Sequence, residues 1–190
     1  NRLTALFRSR STLVRAVFGA AILTVTIALY LIVAAAQGLA PFSKSDTVQA
    51  NVEILLDRST VMDELVGPDT SRLKEAIQSI NVSVLAPEAA GADILALRQF
   101  GGPCDGDNTK LLSDFKPDNR PKIKQAISEI ETGGETTLSD GLMAAISDFR
   151  NTTDLGGGSK TIIVISGGAE TCESNIDSAV IAQQLRDSDI

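Results

Sequence analysis

Hydrophobic positions are continuous near the start of the chain and periodic after it. Residues 16–36 contain no charged side chain. A helix rises about 1.5 Å per residue, so a run of this length spans the ~30 Å hydrocarbon core of a bilayer. A soluble helix as long as this carries a polar face, and residues 16–36 show none. The pattern therefore predicts one transmembrane helix over residues 16–36.

Charged residues before this helix predict its orientation. Arginines and no acidic residues precede it: Arg2, Arg8, Arg10 and Arg15. By the positive-inside rule, residues 1–15 are cytoplasmic, and the later chain lies outside the cytoplasm, tethered to the cell membrane. A cleaved signal peptide is the alternative, since residues 34–36 are alanines, but signal h-regions run only about 7–15 residues. Both interpretations place the rest of the chain on the same side of the membrane.

Small side chains occupy part of the predicted membrane helix: Gly19, Ala20, Ala21, Thr24 and Thr26. Small residues let two membrane helices approach each other closely. They raise an alternative function, that of a structural accessory subunit whose helix packs into a larger membrane protein complex. The simpler interpretation is that these residues belong to an ordinary anchor.

Strand and helix patterns alternate over residues 48–190, after a linker over residues 37–47. Strands are predicted over residues 48–56, 93–100, 109–115 and 161–165. The first and the last of these are dense enough in apolar residues to be fully buried on both faces. The middle two are predicted to pair as a hairpin, because a turn rich in glycine, proline and aspartate separates them.

Helices are predicted where apolar residues recur at helical spacing, from about residue 70 and over residues 122–131, 138–149 and 176–185. Asp69 or Thr70 is the expected N-cap of the first helix, and residues 81–86 favour an extension of that helix over a strand. Strands that alternate with helices predict an α/β fold. We expect a doubly wound, mostly parallel sheet with one antiparallel hairpin strand.

The net charge of the chain is −7, and it is unevenly distributed. Removing the five basic residues that precede Asp46 from this total leaves −12 for the rest of the chain. Nucleic-acid binding depends on lysine and arginine side chains that neutralise phosphates. An acidic domain of this kind is therefore not expected to bind nucleic acid.

Histidine is absent from the sequence. This excludes histidine-based acid–base catalysis and histidine-ligated zinc. A catalytic site built from Ser166, or from the neighbouring carboxylates of Asp63 and Glu64, is the remaining enzymatic alternative. The sequence has no pattern of an activated nucleophile and no phosphate loop. We therefore expect a protein without enzymatic activity.

Three short segments, in order along the chain, give a more specific signal. Residues 57–62 read DRSTVM after a buried strand, residues 133–138 read GGETTL at the start of a helix, and residues 163–172 read IVISGGAETC. These segments resemble the DxSxS, GxTxL and strand-then-SDGxET motifs of von Willebrand factor type A (VWA) domains. The resemblance covers residues 48–190 and is strongest to bacterial members that are membrane-anchored or secreted.

The resemblance implies a metal site at the carboxyl ends of the parallel strands. In the family, loop oxygens there ligate Mg²⁺ or Mn²⁺, and an acidic residue of a protein partner completes the shell. Three of the family's ligand positions match in this chain: Asp57, Ser59 and Thr136. Val61 stands in place of a serine and Gly167 in place of an aspartate, so two ligands are lost. We expect a degenerate site without a divalent ion. Mg²⁺ binding, with Glu170 as a further ligand, is the alternative.

The two cysteines, Cys104 and Cys172, each follow a different predicted strand. The family's strand order implies that both turns lie at the same edge of the sheet, flanking the strand that ends at Asp57. Two such cysteines pair in an oxidising compartment, so we expect a disulfide, with two free thiols as the alternative. Redox activity is not expected, because CxxC spacing is absent.

The resemblance further implies two strands beyond the strand over residues 161–165, and the sequence stops after its last predicted helix. Two strands, a helix and their connections amount to about 40 residues at average lengths. Without them, the strand over residues 161–165 would expose an edge that natural proteins usually cover. We therefore expect a C-terminally incomplete domain, with further residues or another chain at this edge.

Together these patterns predict a membrane-tethered protein–protein interaction module that needs no cofactor. Its expected partner is another protein, itself membrane-associated, and residues 16–36 contact the lipid bilayer. A Mg²⁺-dependent adhesin is the alternative that keeps the same fold. It differs from the first prediction in that its binding would require the metal ion.

Overall fold

A computed structural model of the chain describes residues 49–86, 93–106, 108–173 and 176–190. The strands are β1 (Ala50–Asp57), β2 (Leu65–Gly67), β3 (Thr70–Ser71), β4 (Ile94–Phe100), β5 (Thr109–Pro117) and β6 (Ser159–Ile165). The α-helices are α1 (Arg72–Ser83), α2 (Arg120–Ser128), α3 (Leu138–Asn151) and α4 (Ser178–Asp187), and a short 3-10 helix covers Thr60–Asp63.

The predicted N-terminal segments, over residues 1–15, 16–36 and 37–47, lie outside the described residues. The same holds for the small residues of the predicted membrane helix. Within the ranges that the structure describes, no helix combines the length and the apolar character needed to cross a membrane.

Strand β1 lies inside the main sheet, whose order is β5-β4-β1-β6. It pairs in parallel with β4 and with β6, whereas β4 pairs antiparallel with β5. This is the mostly parallel sheet with one antiparallel hairpin strand that the sequence predicts. Because β1 has a neighbour along each edge, its carboxyl end lies beside those of β4 and β6.

Successive side chains of β1 point to opposite faces of the sheet, and helices cover both faces. On one face Ile54 packs in a core cluster with Ile80 of α1 and Ile123 of α2. On the other face Leu55 packs with Ala145 of α3. The sheet is therefore doubly wound, and β1 is buried on both faces as predicted.

The start of α1 differs from the prediction. Asp69 and Thr70 do not cap this helix, because Thr70 and Ser71 form the short strand β3. The N-cap is Ser71, whose hydroxyl accepts a hydrogen bond from the N–H of Lys74 (3.3 Å). The extension over residues 81–86 is confirmed as far as Ser83, where the helix ends.

Two other helices are shifted by about half a turn from their predicted bounds. Helix α2 begins at Arg120 and ends at Ser128, with a proline at its first turn, where the missing N–H is tolerated. Helix α4 begins at Ser178 because the carboxylate of Asp177 accepts a hydrogen bond from the N–H of Ala179 (2.8 Å) and caps the helix.

The strand predicted over residues 161–165 exists as β6, but the prediction that it is fully buried is wrong. All of its residues are exposed or partly exposed, and Val164 is 41% exposed. Among the described residues β6 pairs only with β1, so one of its edges has no neighbouring strand. An apolar run indicates that a strand can be buried, but its position in the sheet decides whether it is.

Candidate functional site

Three loops meet at the carboxyl ends of the parallel strands. We call them loop A (residues 58–60), loop B (residues 133–136) and loop C (residues 166–171). Backbone hydrogen bonds join the first two. The N–H of Gly133 donates to the carbonyl of Arg58 (2.7 Å), and the N–H of Thr60 donates to the carbonyl of Gly134 (3.0 Å). Loops A and B are therefore held at a fixed distance from each other.

Loop C is joined to loop B through Thr171. Its N–H donates to the carbonyl of Thr136 (3.1 Å), and its hydroxyl accepts a hydrogen bond from the N–H of Thr136 (2.9 Å). The same hydroxyl lies 2.9 Å from a carboxylate oxygen of Glu135, to which it donates. Thr171 thus bonds both the backbone and a side chain of loop B.

Two glycines allow these loops to approach so closely. Gly101, directly after β4, has φ +109°, and a Cβ there would lie 2.7 Å from the backbone nitrogen of Ser59. Gly134 has φ +78°, and a Cβ there would lie 2.5 Å from the Cα of Gly102. Both the left-handed conformation and the close backbone contact require glycine at these two positions.

Asp57 is the last residue of β1, and its side chain is fully buried. Its Oδ1 accepts a hydrogen bond from the N–H of Ser59 (2.7 Å). Its Oδ2 accepts hydrogen bonds from the hydroxyl of Ser166 (2.9 Å) and the N–H of Gly167 (3.0 Å). Both carboxylate oxygens are therefore engaged by donors from loops A and C.

Ser59 and Thr136 complete a buried polar cluster with Asp57. The hydroxyl of Thr136 donates to the hydroxyl oxygen of Ser59 (3.0 Å), and both residues are 0% exposed. The structure thus brings together the three residues that match the family's ligand positions. We call Asp57, Ser59, Thr136, Val61 and Gly167 the loop site.

Val61 and Gly167, the two departures from the family pattern, lie beside each other. A Cβ on Gly167 would lie 3.1 Å from Cγ1 of Val61 and 2.8 Å from the sulfur of Met62. The carbonyl of Gly167 accepts a hydrogen bond from the guanidinium of Arg72, which also forms an ion pair with Glu64 (2.7 Å). An aspartate at position 167 would therefore require both neighbouring side chains to move.

The loop site lacks two of the oxygen ligands that the resemblance implies for a divalent cation, since Val61 and Gly167 stand at those positions. Mg²⁺ takes oxygen ligands in a near-octahedral arrangement. Here both oxygens of Asp57 already accept hydrogen bonds, and Val61 offers no ligating atom. The guanidinium of Arg72 also brings a positive charge to Gly167. In the part of the chain that the structure describes, no three His, Cys, Asp or Glu side chains gather closely enough to hold a metal ion.

Glu170 lies at the start of α3. Its Oε2 accepts a hydrogen bond from the N–H of Ser139 (2.7 Å) in the first turn of that helix. The N-cap residue, Thr137, makes no capping hydrogen bond with its side chain. A carboxylate at a helix N-terminus satisfies free N–H groups and interacts favourably with the helix dipole. Glu170 therefore caps α3 from a loop distant in sequence.

Cys104 and Cys172 form a disulfide, which confirms the expected pairing (S–S 2.12 Å, Cα–Cα 5.4 Å). The bond links the turn after β4 to the residue that follows loop C. It therefore holds loop C against the same end of the sheet as the hydrogen bonds of Thr171.

A buried acidic residue, Glu53, lies on the inner part of β1 and was not predicted from the sequence. It is 0% exposed, and the Nε of Arg98 lies 3.5 Å from its carboxylate. Burial, and then the nearby carboxylate of Asp148, raise the pKa of Glu53 from 4.5 to about 9, against the opposing effect of Arg98. Glu53 is therefore protonated in the folded protein at neutral pH.

Two arginines near the loop site were also not predicted from the sequence. Arg58 stands inside the DRSTVM segment, at a position that the family motif leaves open, so the motif gave no signal for it. Arg72 lies outside every quoted motif. Its contact with Gly167 joins residues far apart in sequence and is visible only in the folded structure.

Comparisons with known proteins are consistent with this architecture. No family model and no curated protein sequence matches the chain. Solved structures do match. The VWA domain of SpRpn10 has a TM-score of 0.51 at 18% identity, over 74% of this chain and 70% of that one. The vWF domain of the type V pili tip protein Mfa5 from Porphyromonas gingivalis has a TM-score of 0.52 at 25% identity, over 71% of this chain.

A third similar structure is the pilus adhesin SpaC from Lactobacillus rhamnosus GG. Its TM-score is 0.52 at 16% identity, over 67% of this chain. The chain spans 44% of the length of the Mfa5 chain and 16% of the SpaC chain. The described residues therefore have a VWA-like α/β fold.

Proposed function

We propose that this chain is a protein-interaction module without enzymatic activity, which binds a protein partner through the exposed residues of loops A, B and C around the loop site. The observation that carries the proposal is the meeting of Asp57, Ser59 and Thr136 at the carboxyl ends of the parallel strands. Open α/β sheets bind their ligands at that end. The fold is also that of a vWF domain from a pili tip protein.

The module binds its partner without a metal ion, as a degenerate form of the family's metal site. Hydrogen bonds from Ser59, Ser166 and Gly167 satisfy both oxygens of the buried Asp57 carboxylate. A cation is therefore not required as a partner for these oxygens. Partner contacts are then made by the side chains and backbone of the three loops.

The domain lies outside the cytoplasm and is tethered to the cell membrane through residues 16–36, with residues 1–15 in the cytoplasm. The charge-free run and the arginines before it support this topology. The Cys104–Cys172 disulfide supports an oxidising compartment. The partner is another membrane-associated protein, because the tether restricts the loop site to the neighbourhood of the membrane.

Site-directed photo-cross-linking in the native membrane tests this function. A photoreactive residue replaces Ala169, which is exposed in loop C, and a matched control replaces Lys122, exposed on α2. We expect one protein to cross-link from position 169 and not from position 122, with equal yield in EDTA and in Mg²⁺.

Two results would contradict the proposal. Cross-linking from position 169 only in the presence of Mg²⁺ would indicate a metal-dependent adhesin. Cross-linking from residues 16–36 together with none from position 169 would indicate an accessory subunit held by its membrane helix.

A further inference from the structure

Arg58 has a side chain without a partner. Among the described residues, its guanidinium makes no hydrogen bond and no ion pair, and its Nε is buried without an acceptor. The backbone of Arg58 is fixed on both sides. Its N–H donates to the carbonyl of Phe100 (2.8 Å), and its carbonyl accepts from Gly133 (2.7 Å). These two hydrogen bonds therefore hold in place the backbone that carries the guanidinium.

A buried donor without an acceptor is unfavourable, and a charged donor more so. Most buried polar groups in native proteins are paired, so an unpaired one requires an explanation. The neighbouring cations show the contrast: Arg98 is paired with Asp148 (2.6 Å), and Arg72 with Glu64 (2.7 Å). Among the described residues, Arg58 thus differs from these two arginines in that its guanidinium has no carboxylate partner.

Arg58 lines a cavity of about 600 Å³ at the end of β4 and the start of β5. Its described lining residues offer hydrogen-bond donors and include no carboxylate: Arg58, Arg98, Gln99, Asn108, Thr109 and Lys110. Lys110 is exposed and has no ion pair among the described residues. Since Arg98 is held by Asp148, Arg58 and Lys110 are the cations of this lining that remain available.

A second cavity, of about 450 Å³, shares Arg58 and Lys110 but is also lined by Glu129 and Glu131. These two carboxylates repel an anion from that side. An anion that approaches Arg58 is therefore favoured in the cavity of about 600 Å³, whose described lining residues include no carboxylate. We call this cavity the Arg58 cleft, and the charged residues among its described lining are all basic, in a chain of net charge −7.

We propose that the Arg58 cleft binds an aspartate or glutamate side chain of the protein partner. This inference rests on the proposed function, since it specifies the chemistry of the partner that the loop site contacts. A guanidinium matches a carboxylate in a two-point geometry, and such pairs are among the strong hydrogen bonds of proteins. Charge complementarity favours the carboxylate, because an acidic partner segment is repelled by most of this domain and accepted at this cleft.

The test measures the binding of a dye-labelled, acetylated hexaglutamate peptide to the full 190-residue chain in a neutral detergent, by fluorescence anisotropy. The wild-type chain is expected to bind hexaglutamate and not the matched hexaglutamine peptide. Arg58→Gln is expected to weaken hexaglutamate binding about tenfold or more, because the pair is charge-assisted and partly buried. Arg58→Lys retains part of the affinity, since an ammonium lacks the two-point geometry.

Arg186→Gln is the matched control, since it removes the same charge from the exposed end of α4 and should leave the affinity unchanged. Lys110→Gln provides a second measurement on an exposed residue, in case Arg58→Gln impairs folding, and is expected to weaken binding about threefold or more. Equal hexaglutamate affinity in the wild type and in Lys110→Gln and Arg58→Lys would overturn the proposal. So would binding of inorganic phosphate at Arg58 without any binding of hexaglutamate.

The outcome also separates this inference from the proposed function. If the partner cross-linked from position 169 binds equally well to Arg58→Gln, the interaction function stands and the carboxylate cleft is wrong. If hexaglutamate binds through Arg58 but position 169 cross-links to no protein, the cleft stands and the proposed function is wrong.

Discussion

At the scale of single residues, the carboxylate of Asp57 has donors from its own chain where the family has a cation. The N–H groups of Ser59 and Gly167 and the hydroxyl of Ser166 surround it. Through these hydrogen bonds Asp57 holds loops A and C together, and its carboxylate has donors although Val61 and Gly167 stand beside it.

The double substitution Val61→Ser with Gly167→Asp should raise the affinity of the full chain for Mg²⁺ about tenfold or more, since it restores a hydroxyl and a carboxylate. Isothermal titration with Mg²⁺ measures this. Gly167→Asp alone should gain less and lower the thermal stability, because its Cβ approaches Met62 and Val61. The Val61→Ala, Gly167→Ala variant is the control, because alanine adds no oxygen ligand at either position. Equal Mg²⁺ affinities in the two double variants would contradict the prediction.

The raised pKa of Glu53 predicts a pH dependence of stability. Below about pH 4.5 both the folded and the unfolded chain hold this proton. Between about pH 4.5 and 9 only the folded chain holds it, so the free energy of unfolding falls as the pH rises, by up to about 1.4 kcal/mol per pH unit. Histidine, which would otherwise titrate in this range, is absent.

Glu53→Gln removes this proton linkage while it keeps the shape of the neutral acid. Urea unfolding at pH 5 and at pH 8 should show a smaller decrease in stability for Glu53→Gln than for the wild type. Glu129→Gln, on the surface, is the control and should keep the wild-type decrease. Parallel pH dependences of Glu53→Gln and the wild type would show that Glu53 is already ionised at pH 5 in the folded state.

At the scale of secondary-structure elements, the loop site depends on connections between segments far apart in sequence. Thr171 bonds loop B, and Glu170 caps α3, although both belong to loop C. The Cys104–Cys172 bond closes the same end of the sheet, across a sequence separation of 68 residues. Loop C is therefore held by side chains, by the backbone hydrogen bond of Thr171 and by a covalent bond, rather than by strand pairing.

Loss of the disulfide should destabilise the domain mainly by enlarging the unfolded ensemble. For a closed loop of this length, the chain-entropy model gives about 4 kcal/mol. The Cys104→Ser, Cys172→Ser variant should therefore show a lower free energy of unfolding in urea than the oxidised wild type. The reductant dithiothreitol should lower the stability of the wild type and leave the double variant unchanged. Equal stabilities of the oxidised wild type and the variant would contradict the prediction.

At the scale of the whole molecule, the predicted membrane topology separates a basic N-terminus from an acidic domain. Protease added to intact cells should therefore remove the domain that begins near residue 48, and a protected fragment that contains residues 16–36 should stay in the membrane. An antibody against the N-terminus detects that fragment. Complete protection of the domain, with cleavage only after the membrane is permeabilised, would contradict this topology.

Sequence patterns alone predict the alternation of strands and helices and the antiparallel hairpin strand, and three motifs indicate the VWA-like fold by resemblance. These features follow from apolar periodicity, turn residues and three short motifs, which are properties of local segments. The predicted ends of α2 and α4 were less accurate, because the position at which a helix begins or ends varies by one or two residues with the capping contacts. The pairing of Cys104 with Cys172 was also predictable, through the family's strand order.

The pairing of polar groups, by contrast, follows from the packing of segments that are distant in sequence. The exposure of β6 depends on its place in the sheet. The capping of α3 by Glu170 and the hydrogen bonds of Asp57 each depend on contacts between distant segments. The same packing leaves the guanidinium of Arg58 without a partner among the described residues. The sequence pattern shows periodicity and local propensity. It does not show the distances between loops, which the packing of the sheet determines, and the chemistry of this site depends on those distances.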